Sequence, residues 1–217
     1  MKQVLIAVVM LVCFTGFSQD DQKAKALLDA VSEKMGSYDN MYIEFSSNLV
    51  NEEAGINEND EPPILGKITL QKEKYNLDYL GNKFIFDGKK LYVINNEDKE
   101  VTTNDGDIDE GDGFIYPSKL LTFYKEGYSF SWGTLATEKG RKIQYVKLIP
   151  IDSASEIKEV QLGIDNKTNH IYKLIQVGAN GSKTTFKINA FKSNQELSEK
   201  MFIFDEKKYL SLDYIID

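Results

Sequence analysis

The 217 residues carry 26 Lys and Arg against 34 Asp and Glu, a formal charge of −8, so there is no cationic excess to neutralise phosphates and nucleic acid is excluded as a partner. Hydrophobic residues at 41% and charged residues at 28% describe a globular chain, neither disordered nor polytopic in a membrane. One His and one Cys are too few for a Cys/His metal cage or a His-based triad.

Met1 to Ser18 has an early lysine, an apolar run from Val4 to Phe14, and small residues at Gly16 and Ser18. These are the three parts of a secretory signal, with cleavage expected after Ser18, and the run is short for a membrane span. A lipoprotein signal acylating Cys13 ranks second, because Val12 occupies the place of the small residue such a signal needs before its cysteine. Export into the periplasm of a bacterial cell is the simplest destination. Cleavage removes the one cysteine, so the mature chain, residues 19–217, is held by its core rather than by disulfides.

Ala24, Leu27, Leu28, Val31 and Met35 recur at spacings of three and four and predict an amphipathic helix that Gly36 ends. The period then drops to two. Ile43, Phe45, Ser47 and Leu49 alternate with polar neighbours, as do Ile64, Gly66, Ile68 and Leu70, then Tyr75, Leu77 and Tyr79, then Phe84 and Phe86. Asp87-Gly88 is a hairpin turn leading into Lys90 to Ile94. The polar, acidic stretch from Asn95 to Gly113 interrupts the strands, and Pro117 is expected to open a second short helix, closed by Gly127, with Leu120, Leu121 and Tyr124 on one side.

Strand patterns resume at Tyr128-Phe130-Trp132, Ile143-Tyr145, Val160-Leu162-Ile164, Ile171 to Val177 and, past the Asn180-Gly181 turn, Thr184-Phe186-Ile188. Ser193 to Glu196 has capping-box form and predicts one helical turn. Met201 to Phe204 and the Tyr209 to Ile216 tail are read as closing strands. About ten short strands with few helices imply consecutive antiparallel pairing, since parallel crossovers need long helices between strands. The expected fold is mainly β (α+β): a single strongly curved antiparallel sheet with two helices on its concave side, in one domain. Such a sheet has an inner face that is either packed solid or left partly hollow for acyl chains, and periodicity alone does not separate the two.

In order along the chain, Gly66-Lys67-Ile68-Thr69-Leu70 with Tyr75-Asn76-Leu77, Ile85 to Tyr92 around the Asp-Gly turn, Pro117 to Leu121, Leu148-Ile149-Pro150, Val160 to Asp165 and Met201 to Phe204 resemble the periplasmic outer-membrane lipoprotein carrier (LolA) family. The resemblance implies an unclosed β-barrel of LolA/LolB type, covered by an α-helical lid. It implies a carrier, not an enzyme, that takes acylated lipoproteins from an inner-membrane lipoprotein-releasing transporter to an outer-membrane acceptor. It also implies a monomer, with no cofactor and no metal. Each buried methylene contributes about 0.8 kcal/mol, so a lipoprotein does not cross water unescorted.

By position, the resemblance puts Tyr75 where the family has a functionally important aromatic. It sets Phe45, Ile68, Leu70, Leu77, Tyr79, Phe84 and Phe86 around the acyl cavity. Leu27, Val31, Leu120, Leu121 and Tyr124 are the lid's inner contacts. The family's Arg-Pro latch is replaced by Lys72-Glu73, where Lys72 supplies a charge without the planar fork of Arg.

Rival readings are a related half-barrel that shuttles free lipids or glycolipids, and a non-transport structural envelope protein. A carboxylate hydrolase is more distant, because G-x-S-x-G, H-E-x-x-H and a second His are all missing. The acidic run Asp105 to Asp112 fails as an EF-hand, since Glu110 and Tyr116 stand where Gly and Glu are needed. His170 at a strand start is expected to be structural, and Trp132 is expected in the core.

Overall fold

The computed structural model describes residues 19–106 and 119–217. The expected signal peptide with Cys13, the Pro117-Ser118 helix start and the acidic run from Asp107 onward lie outside the described residues.

Helix α1, Gln19–Gly36, buries the stripe Ala24, Leu28, Val31 and Met35 at spacings of three and four, as the sequence predicts. Five strands follow: β1 Met41–Val50, β2 Ile64–Gln71, β3 Lys74–Tyr79, β4 Asn82–Phe86 and β5 Lys90–Asn95. The Asp87 carboxylate accepts from the Lys89 and Lys90 amides, and Gly88 takes φ +96° to complete the β4–β5 turn. Next comes β6, Glu100–Asp105, inside the stretch expected to interrupt the strands. Its one strongly apolar residue, Val101, is fully buried opposite Ile94, while Thr102 and Thr103 add β-branched support. A single buried position is too little alternation to stand out in the sequence.

Five long strands form the second half: β7 Tyr128–Glu138, β8 Arg141–Pro150, β9 Ile157–Asp165, β10 His170–Gly178 and β11 Lys183–Ser193. Short helix α2, Glu206–Leu210, and two-residue β12, Ile215–Ile216, end the chain. All twelve strands make one sheet in the order β12-β6-β5-β4-β3-β2-β1-β11-β10-β9-β8-β7. Two antiparallel meanders, β1 to β6 and β7 to β11, are joined where β1 pairs with β11. The edges β12 and β7 are not paired with each other, so the sheet stays unclosed. Pairing is antiparallel throughout except for the short parallel β12–β6 contact.

Four local expectations are corrected. Between Lys119 and Gly127 the described residues form turns, with 3-10 conformation at Lys119 and at Phe123–Lys125, in place of an α-helix. Ser193 to Glu196 forms no helical turn, because Asn194 adopts φ +53° and its side chain accepts from the Asp39 amide while Asn40 and Gln195 bond reciprocally. Met201 to Phe204 is not a strand. The expected tail strand Tyr209 to Ile216 is mostly turn: it starts on the last two residues of α2, which Asp205 caps by accepting from the Lys208 amide, and only Ile215–Ile216 pair as a strand.

Two cores result. The main core packs α1 and Tyr124 against the inner residues of the sheet, from Ile43, Leu70 and Tyr75 across to Leu148, Leu162 and Leu174. The second lies on the convex side of β4–β6, where Ile85, Ile94 and Val101 are covered by Phe204, Tyr209, Tyr214 and Ile216 of the C-terminal segment. There Phe204 stacks between Tyr92 and Tyr209 at centroid distances of 4.5 and 5.2 Å. Trp132, expected in the core, is 37% exposed on the edge strand β7.

Candidate functional site

Strand register decides which side chains meet on the concave face. Ile43 lies opposite Ile68, and Ile68 opposite Leu77, so these three point the same way on adjacent strands. Phe45 lies opposite Gly66 on one side and Ile188 on the other, the β1–β11 ladder being shifted between Glu44 and Phe45. These residues surround a hollow of about 120 Å³. One wall is Ile43, Phe45, Ile68, Leu77 and Tyr79 from β1–β3. The facing wall is Ile171, Leu174, Gln176, Phe186 and Ile188 from β10 and β11, with Leu120 over the top. Among the described residues no charged side chain lines it, so this lining suits hydrocarbon rather than acid–base chemistry.

Of the residues expected around the cavity, Phe45, Ile68, Leu77 and Tyr79 line this hollow and Leu120 caps it. Leu70, Tyr75 and Phe86 are buried in the solid core beside it, with the Tyr75 and Phe86 rings 5.5 Å apart, and Phe84 packs partly buried against the same core. Val31 is buried on the inner stripe of α1, and Leu27 and Leu121 pack partly buried against the same core. Tyr124 is buried and its hydroxyl donates to the Leu28 carbonyl at 2.9 Å, which ties the 119–127 segment to α1; burial raises this phenol above its ordinary pKa. Lys72 sits exposed in the β2–β3 turn at φ +55°. The wall from β10 and β11 is visible in the sequence as strand alternation. Its place beside β1 is not, because that pairing spans some 140 residues of chain.

His170 anchors the opposite end of the concave face. Its Nε2 shares a hydrogen bond of 2.8 Å with the Tyr38 hydroxyl, and its ring lies 4.4 Å from that of Phe191. Burial, helped by the Lys34 charge and opposed by Asp165, holds its pKa below the usual histidine range. Among the described residues no three His, Cys, Asp or Glu side chains converge as a metal site. On β2–β4 the convex surface carries charges: Asp78 pairs with Lys83 at 2.8 Å and with Lys67 at 3.4 Å beside an open recess.

The fold is shared with solved structures of low sequence identity. An uncharacterized conserved protein from Thermus thermophilus aligns with a TM-score of 0.59 at 10% identity, covering 90% of this chain and 99% of that one. A DUF1329 family protein from Desulfovibrio piger gives 0.51 at 8%, covering 88% and 100%. LprF from Mycobacterium bovis gives 0.50 at 8%, covering 85% and 100%. No curated protein matches the sequence. The model of the family described as outer membrane lipoprotein carrier protein LolA matches residues 74–205, a span running from β3 past β11 and carrying most of the hollow's walls, and the chain therefore belongs to the LolA family.

Proposed function

We propose that the protein is an exported carrier that shelters the acyl chains of lipoproteins in the concave hollow and moves them from the inner to the outer membrane, receiving them from a releasing transporter and passing them to an acceptor. The observation that carries this reading is the uncharged hollow between β1–β3 and β10–β11 in a chain of this family. Export rests on the signal-like Met1 to Ser18 segment.

The size of the hollow adds a condition. At about 120 Å³ it is smaller than the cavity of about 150 Å³ that holds one benzene molecule in an engineered core, so several acyl chains enter only if the cover lifts. The candidate cover is the 119–127 segment, which carries Leu120 and hangs on the Tyr124–Leu28 hydrogen bond. Transfer then follows from differences in affinity between closed and open states and needs no covalent step.

The small hollow also favours a second reading, carriage of one free lipid or glycolipid chain. Native mass spectrometry of the protein purified from the envelope of its own cells tests both. An acylated lipoprotein bound to it supports the first reading and a single free lipid the second. A ligand-free protein that also fails to bind a dansyl-labelled fatty acid overturns both.

A further inference from the structure

Three aromatic rings stand together at one end of the hollow. Phe45 is 5.4 Å from Tyr79 and 6.0 Å from Phe186, and Tyr79 is 6.3 Å from Phe186, centroid to centroid. All three line the hollow. Two local features set how freely they turn. The Phe45 ring lies across the Cα of Gly66 on the neighbouring strand, in space that any Cβ there would need. The Tyr79 and Ser47 hydroxyls share a hydrogen bond of 2.8 Å, with Ser47 buried one inward position beyond Phe45 and level with Phe186.

Beyond the rings the same inward rows come to the surface. On β1 the row runs Ile43, Phe45, Ser47, Leu49, and on β2 it runs Ile68, Gly66, Ile64. Ile43 and Ile68 are buried, whereas Leu49 is 47% exposed and Ile64 is 41% exposed. An apolar rim therefore lies in line with an apolar hollow, and the ring cluster stands between them.

We infer that Phe45, Tyr79 and Phe186 form a gate through which a single acyl chain passes from the Leu49–Ile64 rim into the hollow. The inference rests on the acyl-carrier reading and adds the route of entry and what limits its rate. Phe45 is the moving part, because Gly66 presents no side chain for its ring to clear, while the Ser47 bond fixes Tyr79. A threaded chain occupies the space the rings held, so the gate taxes entry and leaves exit nearly untouched. If the open form is a minor state of about 0.1–10%, removing the Phe45 ring raises the association rate by at least about tenfold.

Stopped-flow binding of dansyl-undecanoic acid to the full chain tests this. Phe45→Ala is expected to accelerate association at least about tenfold, a readout that the loss of a wall contact by itself, which speeds dissociation, does not produce. Tyr79→Phe, which removes only the hydroxyl bonded to Ser47 and keeps the ring, is expected to accelerate it about two- to fivefold. A thermal melt checks that each variant is folded. If neither variant changes the association rate although the wild type binds the probe, the gate is refuted and the carrier reading stands. If wild type and variants alike bind no probe, the carrier reading fails and the gate with it.

Discussion

The concave hollow and the convex C-terminal clasp are both aromatic-rich surfaces of one sheet, yet they end differently. On the convex side Tyr92, Phe204, Tyr209 and Tyr214 pack ring on ring, and the cover is stitched down by backbone hydrogen bonds from Ile215 and Asp217 to Lys99 and Val101. On the concave side the cover is α1 and a segment of turns, and space is left under Leu120. An apolar face therefore becomes structure when its own chain supplies a well-fitting cover, and becomes a candidate site when the cover fits loosely. The clasp also extends the sheet beyond β6 with β12, whereas β7 is the last strand of the order among the described residues.

Three substitutions sharpen that contrast. The largest effect is expected at the clasp: Tyr209→Ala removes a buried ring from the second core and should destabilise the protein by about 3–5 kcal/mol in urea unfolding. Acyl-probe affinity measured well below the new midpoint should stay within about twofold, and a large loss of affinity there would dissolve the distinction between the two regions. In the hollow the opposite pattern is expected. Leu174→Phe places volume into empty space, so stability should rise by about 1 kcal/mol while probe binding weakens roughly tenfold. A loss of stability from this filling change would mean that the hollow does not tolerate a larger side chain.

The smallest effect is on the convex face of the second meander. Burial alone would raise the Glu138 carboxyl, but hydrogen bonds from Lys173 and Tyr145 and the Lys173 and Lys187 charges outweigh it and hold the pKa below the usual glutamate value. A carboxyl depressed in the fold adds stability above its unfolded value of about 4.3, and that contribution is lost as pH falls through the lower folded value. Glu138→Gln should remove about 0.5–1 kcal/mol at pH 7 and flatten the acid limb of a stability–pH profile. An unchanged acid limb would show that the ion pair does not couple to folding.

Much of the sheet is legible because alternation at period two reports half-buried strands directly: β1 to β5 and β7 to β11 all coincide with apolar rows in the sequence. The misses share a cause, which is that side-chain type stands in for position. β6 strongly buries one residue, the aromatic content of 201–217 suggests strands where the chain forms mostly turns and α2, and the hydrophobicity of Trp132 suggests core although it stands on the terminal strand β7. Strand pattern and family resemblance together reach five of the eleven residues that line the hollow: Phe45, Ile68, Leu77, Tyr79 and Leu120. Tyr75 and Leu70 share the same alternation and are solid core, because period-two patterning gives the face and not the depth below the cover.

The sequence by itself determined the composition of the core, the strand-rich class, the tight turns at Asp87-Gly88 and Asn180-Gly181 and the helical stripe of α1, since each follows from side chains a few residues apart. The tertiary structure alone decided that β1 lies beside β11, that the aromatic tail closes over the convex face, and that about 120 Å³ stays unfilled between the sheet's concave face and its cover. Those outcomes depend on contacts between residues more than a hundred positions apart and on the volume left after packing, and neither quantity is carried by local pattern.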